Sequence, residues 1–313
     1  MREDERVQRY SADVVSSPGA PTAPAGVMVA QLGEGPIWHR TELWWLDILP
    51  GRVHRLGSHD GDEVRTVEVG GHVGAVAPMD GVDGEALLAA GGGFAHLAAD
   101  GTVTPLAQPE AGADGRTRMN DGKCDPQGRF WAGSMAYDTA PGAGSLYRLD
   151  RDGTVATVLE GLTISNGLGW SPDGGTLYHS DSGPGRITAY DFDPATGAIG
   201  AGRQVFRSAP GQGWPDGLCV DDDGCLWVAF WDGSAVRRIT PAGQVAAEVP
   251  LPVSRPTSCC FGGINGATLY ITSAWDGLSP EQREDEPLAG ALFACDVGTT
   301  GPPATPCRVQ VPG

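Results

Sequence analysis

The amino-acid sequence predicts an all-β protein, a six-bladed β-propeller with four-stranded blades, and three observations support this. A unit of about 40–50 residues recurs six times along the chain. Within each unit, apolar and polar residues alternate with a period of two, and Gly, Asp and Pro bound each run. The 313 residues include 48 glycines and 25 prolines, which is too turn-rich for a helical bundle. One closed ring also explains a length about twice that of a typical domain.

Each unit begins with a short apolar strand, a turn and an aromatic-rich strand. These first halves start at Gly35, Gly74, Gly122, Gly167, Gly217 and Cys259. A second hairpin follows each of them, over residues 52–56, 94–100, 146–152, 187–193, 236–241 and 292–296. Because two hairpins supply four strands, each unit predicts one blade.

The two ends of the chain differ from this repeat. Residues 1–26 run from charged to Ser-, Pro-, Ala- and Gly-rich without periodicity, so they predict a poorly ordered N-terminal tail. Residues 27–313 are predicted to form a single propeller domain, with 27–31 and 307–311 helping to close the last blade. Residues 1–10 lack the apolar segment of a secretory signal, so we expect a cytoplasmic protein.

Charge and hydropathy exclude two classes of partner. The chain carries 21 basic and 39 acidic residues, a formal net charge of −18, which opposes binding to phosphate backbones and anionic lipids. No apolar run approaches the roughly 20 residues of a membrane helix. We therefore expect neither a nucleic-acid nor a membrane partner, while the oligomeric state stays open. The seven cysteines include no C-x-x-C pair and are expected to be reduced and buried.

The residue before the opening of each unit should lie at one mouth of the central channel, because innermost strands line that channel. When the units are aligned by the turn that follows seven or eight residues later, these column residues are Glu34, Val73, Asn120, Asn166, Asp216 and Thr257. Asn and Asp before Gly are also ordinary turn residues, but Glu before Gly-Pro at a strand start is not. Four of the six carry the hard oxygen donors that suit Ca²⁺, Mg²⁺ or Mn²⁺. The column therefore predicts a shared polar pocket.

Other residues are predicted to complete this pocket. Arg118 stands two residues before Asn120, so both side chains would face the same side of an extended strand. A guanidinium there would hold an oxygen-rich substrate through forked hydrogen bonds. Aromatic candidates for the pocket wall are Tyr137, Trp214 and Trp231.

Six motifs carry a resemblance to one known family. They are LGEGP at 32–36, RMNDGKCDP at 118–126, GRFWAGSM at 128–135, ISNGL at 164–168, WPDG at 214–217 and TSCCFGG at 257–263. Over about residues 28–300, the chain resembles the SMP-30/gluconolactonase/regucalcin family of propeller lactonases. The resemblance implies hydrolysis of sugar lactones with one bound divalent metal ion. Ca²⁺ is the ion expected, and Zn²⁺, Mn²⁺ and Mg²⁺ are alternatives.

The resemblance also implies a role for individual residues. The metal ligands of the family fall on Glu34, Asn166 and Asp216. The metal would polarise the lactone carbonyl and stabilise the oxyanion that forms. Asp216 is also the candidate catalytic base, since a carboxylate can contact the metal and accept a proton from water.

The substrate contacts implied by the resemblance fall on Arg118 and Asn120. A further acidic contact falls on Asp138, where the regucalcin branch carries the longer glutamate. These side chains would orient the hydroxyl groups of the sugar.

Other functions would use the same ligands. One is a regucalcin-like, calcium-binding regulatory protein without catalysis, and another is a metal-dependent hydrolase of aryl esters or organophosphates. A scaffold propeller that binds peptides on its rim would instead have an apolar column and exposed aromatic patches. Neither the lactone nor the physiological metal follows from the sequence.

Overall fold

The computed structural model describes residues 7–15, 28–57 and 63–311, and it confirms the six-bladed β-propeller with four-stranded blades. Near the N-terminus lie two short strands, β1 (Gln8–Arg9) and β2 (Asp13–Val14). Two short helical segments interrupt the strands, a 3₁₀ turn at Ala111–Ala113 and α1 at Pro280–Asp285. A capping box between Ser279 and Gln282 closes the start of α1.

The blades follow one another along the chain, and each is an antiparallel sheet whose first strand is innermost. Their strands are, for blade 1, β3 (Gly33–His39), β4 (Glu42–Asp47), β5 (Arg52–Gly57) and β6 (Arg65–Glu68); for blade 2, β7 (Val73–Pro78), β8 (Ala86–Ala90), β9 (Gly93–Leu97) and β10 (Val103–Ala107); for blade 3, β11 (Thr117–Cys124), β12 (Phe130–Ala136), β13 (Gly144–Leu149) and β14 (Val155–Leu162); for blade 4, β15 (Ser165–Trp170), β16 (Thr176–Asp181), β17 (Arg186–Asp193) and β18 (Ala198–Arg207); for blade 5, β19 (Trp214–Val220), β20 (Leu226–Trp231), β21 (Ala235–Ile239) and β22 (Val245–Pro250); and for blade 6, β23 (Pro256–Gly262), β24 (Thr268–Ser273) and β25 (Phe293–Asp296), joined by β2.

The innermost strands form a closed ring. Each of them contacts the innermost strand of the next blade, and β23 returns to β3. Glycine permits this close approach. A Cβ atom at Gly74 would lie 2.3 Å from the carbonyl oxygen of Asn120, and one at Gly167 would lie 2.4 Å from that of Asp216. The glycines that open the repeat therefore bring the polar residues of neighbouring blades together.

A buried aspartate stabilises the first hairpin in two blades. Asp221 accepts hydrogen bonds from the backbone N–H of Cys225 at 2.8 Å and from Trp227 Nε1 at 3.0 Å. It also accepts one from Arg238 Nε at 2.7 Å. Asp125 accepts equivalent bonds in blade 3, from Arg129 N at 3.0 Å and Trp131 Nε1 at 3.1 Å. This shared network explains the repeated Asp, Gly and Trp spacing.

The core lies between the blades. The largest side chains there include Trp44, Trp131 and Trp227, each on the second strand of its blade and each almost fully buried. The ring of Trp131 lies 5.9 Å from Trp170 and 5.9 Å from Phe192, both in the next blade. Such aromatic packing stabilises the contact between neighbouring blades. All seven cysteines are buried, and none forms a disulfide, as predicted.

The ends of the chain differ from their predictions. The sequence predicts a poorly ordered tail that includes residues 7–15, but β1 pairs in parallel with β22, and β2 adds the outer strand of the last blade. Apolar packing accounts for this order, since Tyr10, Ala12 and Val14 pack against the core cluster of the last two blades. The rest of the predicted tail, 1–6 and 16–26, lies outside the described residues.

Closure of the last blade also uses other residues than expected. β2 supplies the fourth strand, while Val29 makes only an isolated bridge to Ala291. Cys307 pairs with Met79 of blade 2, and Val309 belongs to the core cluster shared by blades 2 and 3. In the part of the chain that the structure describes, no helix is long and apolar enough to cross a membrane.

Candidate active site

One mouth of the central channel opens into a cavity of about 530 Å³. Its lining brings together five of the predicted site residues, Glu34, Arg118, Asn120, Asn166 and Asp216. The three aromatic side chains predicted for the wall, Tyr137, Trp214 and Trp231, also line it. These residues, from four blades, therefore meet at one polar cavity.

Bulges aim the column residues at the channel. All six innermost strands shift register against their neighbours at the column positions, for example between Glu34 and Ile37 and between Ser165 and Leu168. A bulge breaks the alternation of side chains and redirects the residues within it. In four of the six strands a glycine directly follows the column residue, and this glycine is the signal in the sequence for the local structure.

Aspartates anchor the segments that lead into two of these bulges. The Asp47 carboxylate accepts hydrogen bonds from the backbone N–H groups of Gln31 and Leu32, both at 2.9 Å. Asp181 does the same for Thr163 and Ile164, both at 3.1 Å. The backbone just before Glu34 and Asn166 is thereby fixed.

The three predicted metal ligands present oxygen atoms with unused acceptor capacity. Asn166 Nδ2 donates to Ser182 Oγ at 3.1 Å, so the Oδ1 oxygen is the atom left for a ligand. Oδ1 of Asn166 and Oδ1 of Asp216 are buried and have no hydrogen-bond partner in the described ranges. Glu34 Oε2 accepts one bond from Gly35 N at 2.7 Å. Buried acceptors without donors fit a hard cation, which takes carboxylate and amide oxygens.

The electrostatics of the cavity floor point the same way. Burial raises the pKa of the Glu34 and Asp216 carboxyls well above their usual range, and neighbouring carboxylates raise both further. One of these neighbours is Asp121, whose own pKa is raised by burial and lowered less by Lys123. A divalent cation would offset this concentration of like charge.

Asp121 was not among the predicted site residues, although it belongs to the RMNDGKCDP motif. Strict alternation along the strand would turn it away from Asn120. The register shift between Met119 and Gly122 removes that alternation. Asp121 is buried, and its Oδ1 accepts a bond from Gly122 N at 2.7 Å. Within the described residues, no group of three or more His, Cys, Asp and Glu side chains could by itself hold a metal, so a cation at this site would require an amide ligand such as Asn166.

Arg118 and Asn120 form one unit, as their spacing predicts. Arg118 Nη1 donates to Asn120 Oδ1 at 2.9 Å and to the carbonyl of Met119 at 2.9 Å. Asn120 Nδ2 donates to the carbonyl of Ser165 at 3.0 Å, which ties the unit to the next blade. Burial lowers the pKa of the Arg118 guanidinium, which still carries its charge at neutral pH.

Asp138, the third predicted substrate contact, is not brought to the cavity. It is exposed, and its Oδ1 accepts a bond from Ala140 N at 3.1 Å within the loop. Tyr137 lines the cavity instead, and its hydroxyl lies 3.0 Å from His72 Nδ1. Thr139, at φ 56°, has a backbone conformation that is costly for a β-branched residue. This turn presents Tyr137 to the cavity and Asp138 to solvent.

The remaining two column positions have structural roles. Val73 is fully buried in the core between blades 1 and 2. Thr257 Oγ1 donates to the carbonyl of Gly33 at 2.5 Å and lies 2.9 Å from Thr272 Oγ1. Neither residue lines the cavity, in keeping with their lack of carboxylate or amide oxygens.

Comparison with known proteins shows which family this chain resembles. A family model described as SMP-30/Gluconolactonase/LRE-like region matches residues 32–275. Regucalcin of Gallus gallus is 38% identical over 286 residues, which cover 88% of this chain and 94% of that protein. The 6-deoxy-6-sulfogluconolactonase of Pseudomonas putida is 39% identical over 275 residues, 86% of this chain and 92% of that protein.

Solved structures show the same similarity. A calcium-binding protein, regucalcin from Agrobacterium tumefaciens, superposes with a TM-score of 0.88 at 26% identity, covering 97% of this chain and all of that one. With the propeller, the polar cavity and the matched motifs together, the chain belongs to the SMP-30/gluconolactonase/LRE-like family.

Proposed function

We propose that this protein hydrolyses sugar lactones to aldonic acids with the help of one divalent cation. The observation that carries this proposal is the pair of buried, unpartnered oxygens on Asn166 and Asp216, which face the same cavity as the Arg118 guanidinium. One end of the cavity is suited to a cation and the other to an oxygen-rich substrate. The Pseudomonas putida relative is named for a sugar lactone, which supports the same substrate class.

Glu34, Asn166 and Asp216 would hold the cation. Their carboxylate and amide oxygens favour Ca²⁺, with Mg²⁺, Mn²⁺ and Zn²⁺ as alternatives. When bound, such an ion supplies Lewis acidity toward a carbonyl oxygen.

The side chains of the cavity would position the substrate. Arg118 and Asn120 are already locked to each other by the 2.9 Å hydrogen bond, so little entropy is lost when they bind sugar hydroxyls. Tyr137 offers a further hydroxyl at the mouth. Leu32, Ile48 and Ile164 form an apolar part of the wall, which excludes bulk water from one side of the ring.

Asp216 would act as general base. Its carboxylate accepts a proton from the attacking water while the water oxygen bonds to the lactone carbonyl carbon. The ring C–O bond then breaks, and the proton passes to the released hydroxyl oxygen. The products are one aldonic acid and a regenerated carboxylate, so the reaction needs no other co-reactant.

A regulatory, calcium-binding protein without turnover is the second candidate. Relatives named regucalcin, one of them described as a calcium-binding protein, favour it, and the same three ligands would serve. Turnover separates the two candidates, because only the lactonase consumes substrate.

Proton release at fixed pH with sugar lactones tests the proposal. We expect Asp216→Ala to lower kcat by about 10²- to 10⁴-fold. The matched control is Asp138→Ala, which removes a carboxylate of the same size outside the cavity and should leave kcat within about twofold. Near-normal turnover of Asp216→Ala would contradict the proposed base.

A further inference from the structure

A second cavity adjoins the catalytic one. Its volume is about 520 Å³, and it shares Gly183, Trp214 and Asp232 with the catalytic cavity. We call it the side cavity; its other lining residues belong to the turn 184–185 and the segment 207–213. Each cavity by itself has the volume of a typical small-molecule site. A ligand larger than one ring could therefore extend from one into the other.

Trp214 stands at the junction of the two cavities. Its side chain is 47% exposed, although it begins the innermost strand β19. Aromatic residues of a protein core are buried, whereas an aromatic residue so exposed at a cavity is typical of a binding surface. Gly213 before it, at φ +80°, brings the loop close to the neighbouring hairpin, where a Cβ atom would lie 2.6 Å from the carbonyl of Trp231. The loop is thus built to present Trp214 at this position.

The side cavity offers both donors and acceptors around this aromatic face. Arg207 pairs with Arg186 through its backbone, and its side chain forms no ion pair with any residue in the described ranges. Ser208 Oγ is buried and has no partner in the same part of the chain. Asp232 supplies a carboxylate, whose Oδ1 accepts a bond from Arg255 Nε at 2.7 Å. Its φ of 54° marks a strained residue of the kind found at functional sites.

We propose that the side cavity binds a second sugar ring, so that the preferred substrates are lactones of disaccharides rather than of single sugars. This inference rests on the proposed lactonase function and names its substrate class. The lactone ring would occupy the catalytic cavity, and the glycosidically linked ring would lie against Trp214. A sugar ring needs an aromatic face together with donors and acceptors at its edge, and Arg207, Ser208 and Asp232 supply these.

The test compares kcat/KM for glucono-1,5-lactone with that for cellobiono- and maltobiono-1,5-lactone, measured by proton release with Ca²⁺ present. We expect the wild-type protein to prefer at least one disaccharide lactone by tenfold or more. Ala209→Trp fills the side cavity from an exposed position. It should abolish this preference while glucono-1,5-lactone hydrolysis stays within twofold. Arg207→Ala should lower kcat/KM for the disaccharide lactone about tenfold and leave the single-sugar lactone unchanged.

Ala242→Trp is the matched control, because it adds the same bulk at an exposed turn outside both cavities. It should change neither the preference for the disaccharide lactone nor the hydrolysis of glucono-1,5-lactone. Faster hydrolysis of the single-sugar lactone, with no response of the disaccharide lactones to Ala209→Trp, would overturn the inference while it leaves the lactonase function intact.

A binding measurement separates this inference from the function on which it rests. If no lactone is hydrolysed, the proposed function fails, and calorimetric titration with gluconate and cellobionate still tests the side cavity. Tighter binding of cellobionate that is lost in Ala209→Trp would support a second sugar subsite. Equal binding of both acids, or a preference that survives Ala209→Trp, would refute it.

Discussion

Replacing Asp216 by asparagine is expected to change stability in opposite directions with and without a divalent cation. In the cation-free protein, Asp216 is a buried carboxylate near two others, and its Oδ1 lacks a hydrogen-bond partner. Asp216→Asn removes one negative charge at almost constant volume. We therefore expect the variant to be more stable than the wild type when a chelator is present.

The size of this effect follows from the extra cost of leaving a charged rather than a neutral buried acceptor without a donor, on the order of 2 kcal/mol. Unfolding entropy is about 2.1 cal/mol/K per residue, so a change of about 2 kcal/mol in a chain of 313 residues moves Tm by about 3 °C. With a cation at about 100 times its Kd, the wild type should gain about 2.7 kcal/mol. The variant has lost a ligand and should gain little.

Differential scanning fluorimetry with chelator, and then with excess Ca²⁺, measures both effects. Asp221→Asn is the control, since this aspartate is equally buried but fully partnered by Arg238, Trp227 and backbone donors. It should lower Tm in both conditions. A lower Tm of Asp216→Asn in chelator, or a Ca²⁺ response equal to that of the wild type, would refute the reasoning.

Three other predictions follow from particular contacts. Tyr137→Phe removes the hydroxyl at the cavity mouth, so steady-state kinetics should show kcat/KM for a sugar lactone reduced about tenfold; an unchanged value would exclude a substrate contact. Burial lowers the pKa of His54 to about 3 from 6.5, so its contribution to stability is complete above pH 6.5 and is lost as the pH falls toward 3. The free energies of unfolding of wild type and His54→Gln, measured with denaturant, should therefore differ by about 2 kcal/mol less at roughly pH 5 than at roughly pH 7. A constant difference would contradict the burial of a neutral ring. Gly167→Ala places a Cβ atom 2.4 Å from the carbonyl of Asp216 and should cost about 2–4 kcal/mol in the free energy of unfolding, whereas Gly112→Ala, with nothing within 4 Å, should cost less than about 0.5 kcal/mol.

The repeat made the fold predictable, because six copies of a two-hairpin unit leave few architectures open. The ends were less predictable. Tyr10, Ala12 and Val14 alternate with polar residues, but so short a run beside a charged and turn-rich segment does not by itself predict a strand. It is ordered because these side chains pack on a core built by the last two blades, and the sequence of the segment does not show that core.

The site was predictable as a column and less so in its details. Glu34, Asn120, Asn166 and Asp216 meet at the cavity as expected; three of them stand directly before the glycine that begins their repeat, and Asn120 stands two residues before it. Asp121 was missed, because a register shift breaks the alternation from which side-chain direction was inferred. Tyr137 reaches the cavity as predicted and Asp138 does not, because the strained turn at Thr139 leaves Asp138 facing solvent. Backbone irregularities of this kind cannot be predicted from the alternation of apolar and polar residues.

The central claim is that a divalent cation held at Glu34, Asn166 and Asp216 supports lactone hydrolysis. Its most direct test is proton release at fixed pH from a panel of sugar lactones, first with metal-stripped protein and then with Ca²⁺, Mg²⁺, Mn²⁺ or Zn²⁺ restored. We predict turnover that disappears on stripping and returns with at least one of these ions. Turnover unaffected by stripping, or none with any ion and lactone, would contradict the claim.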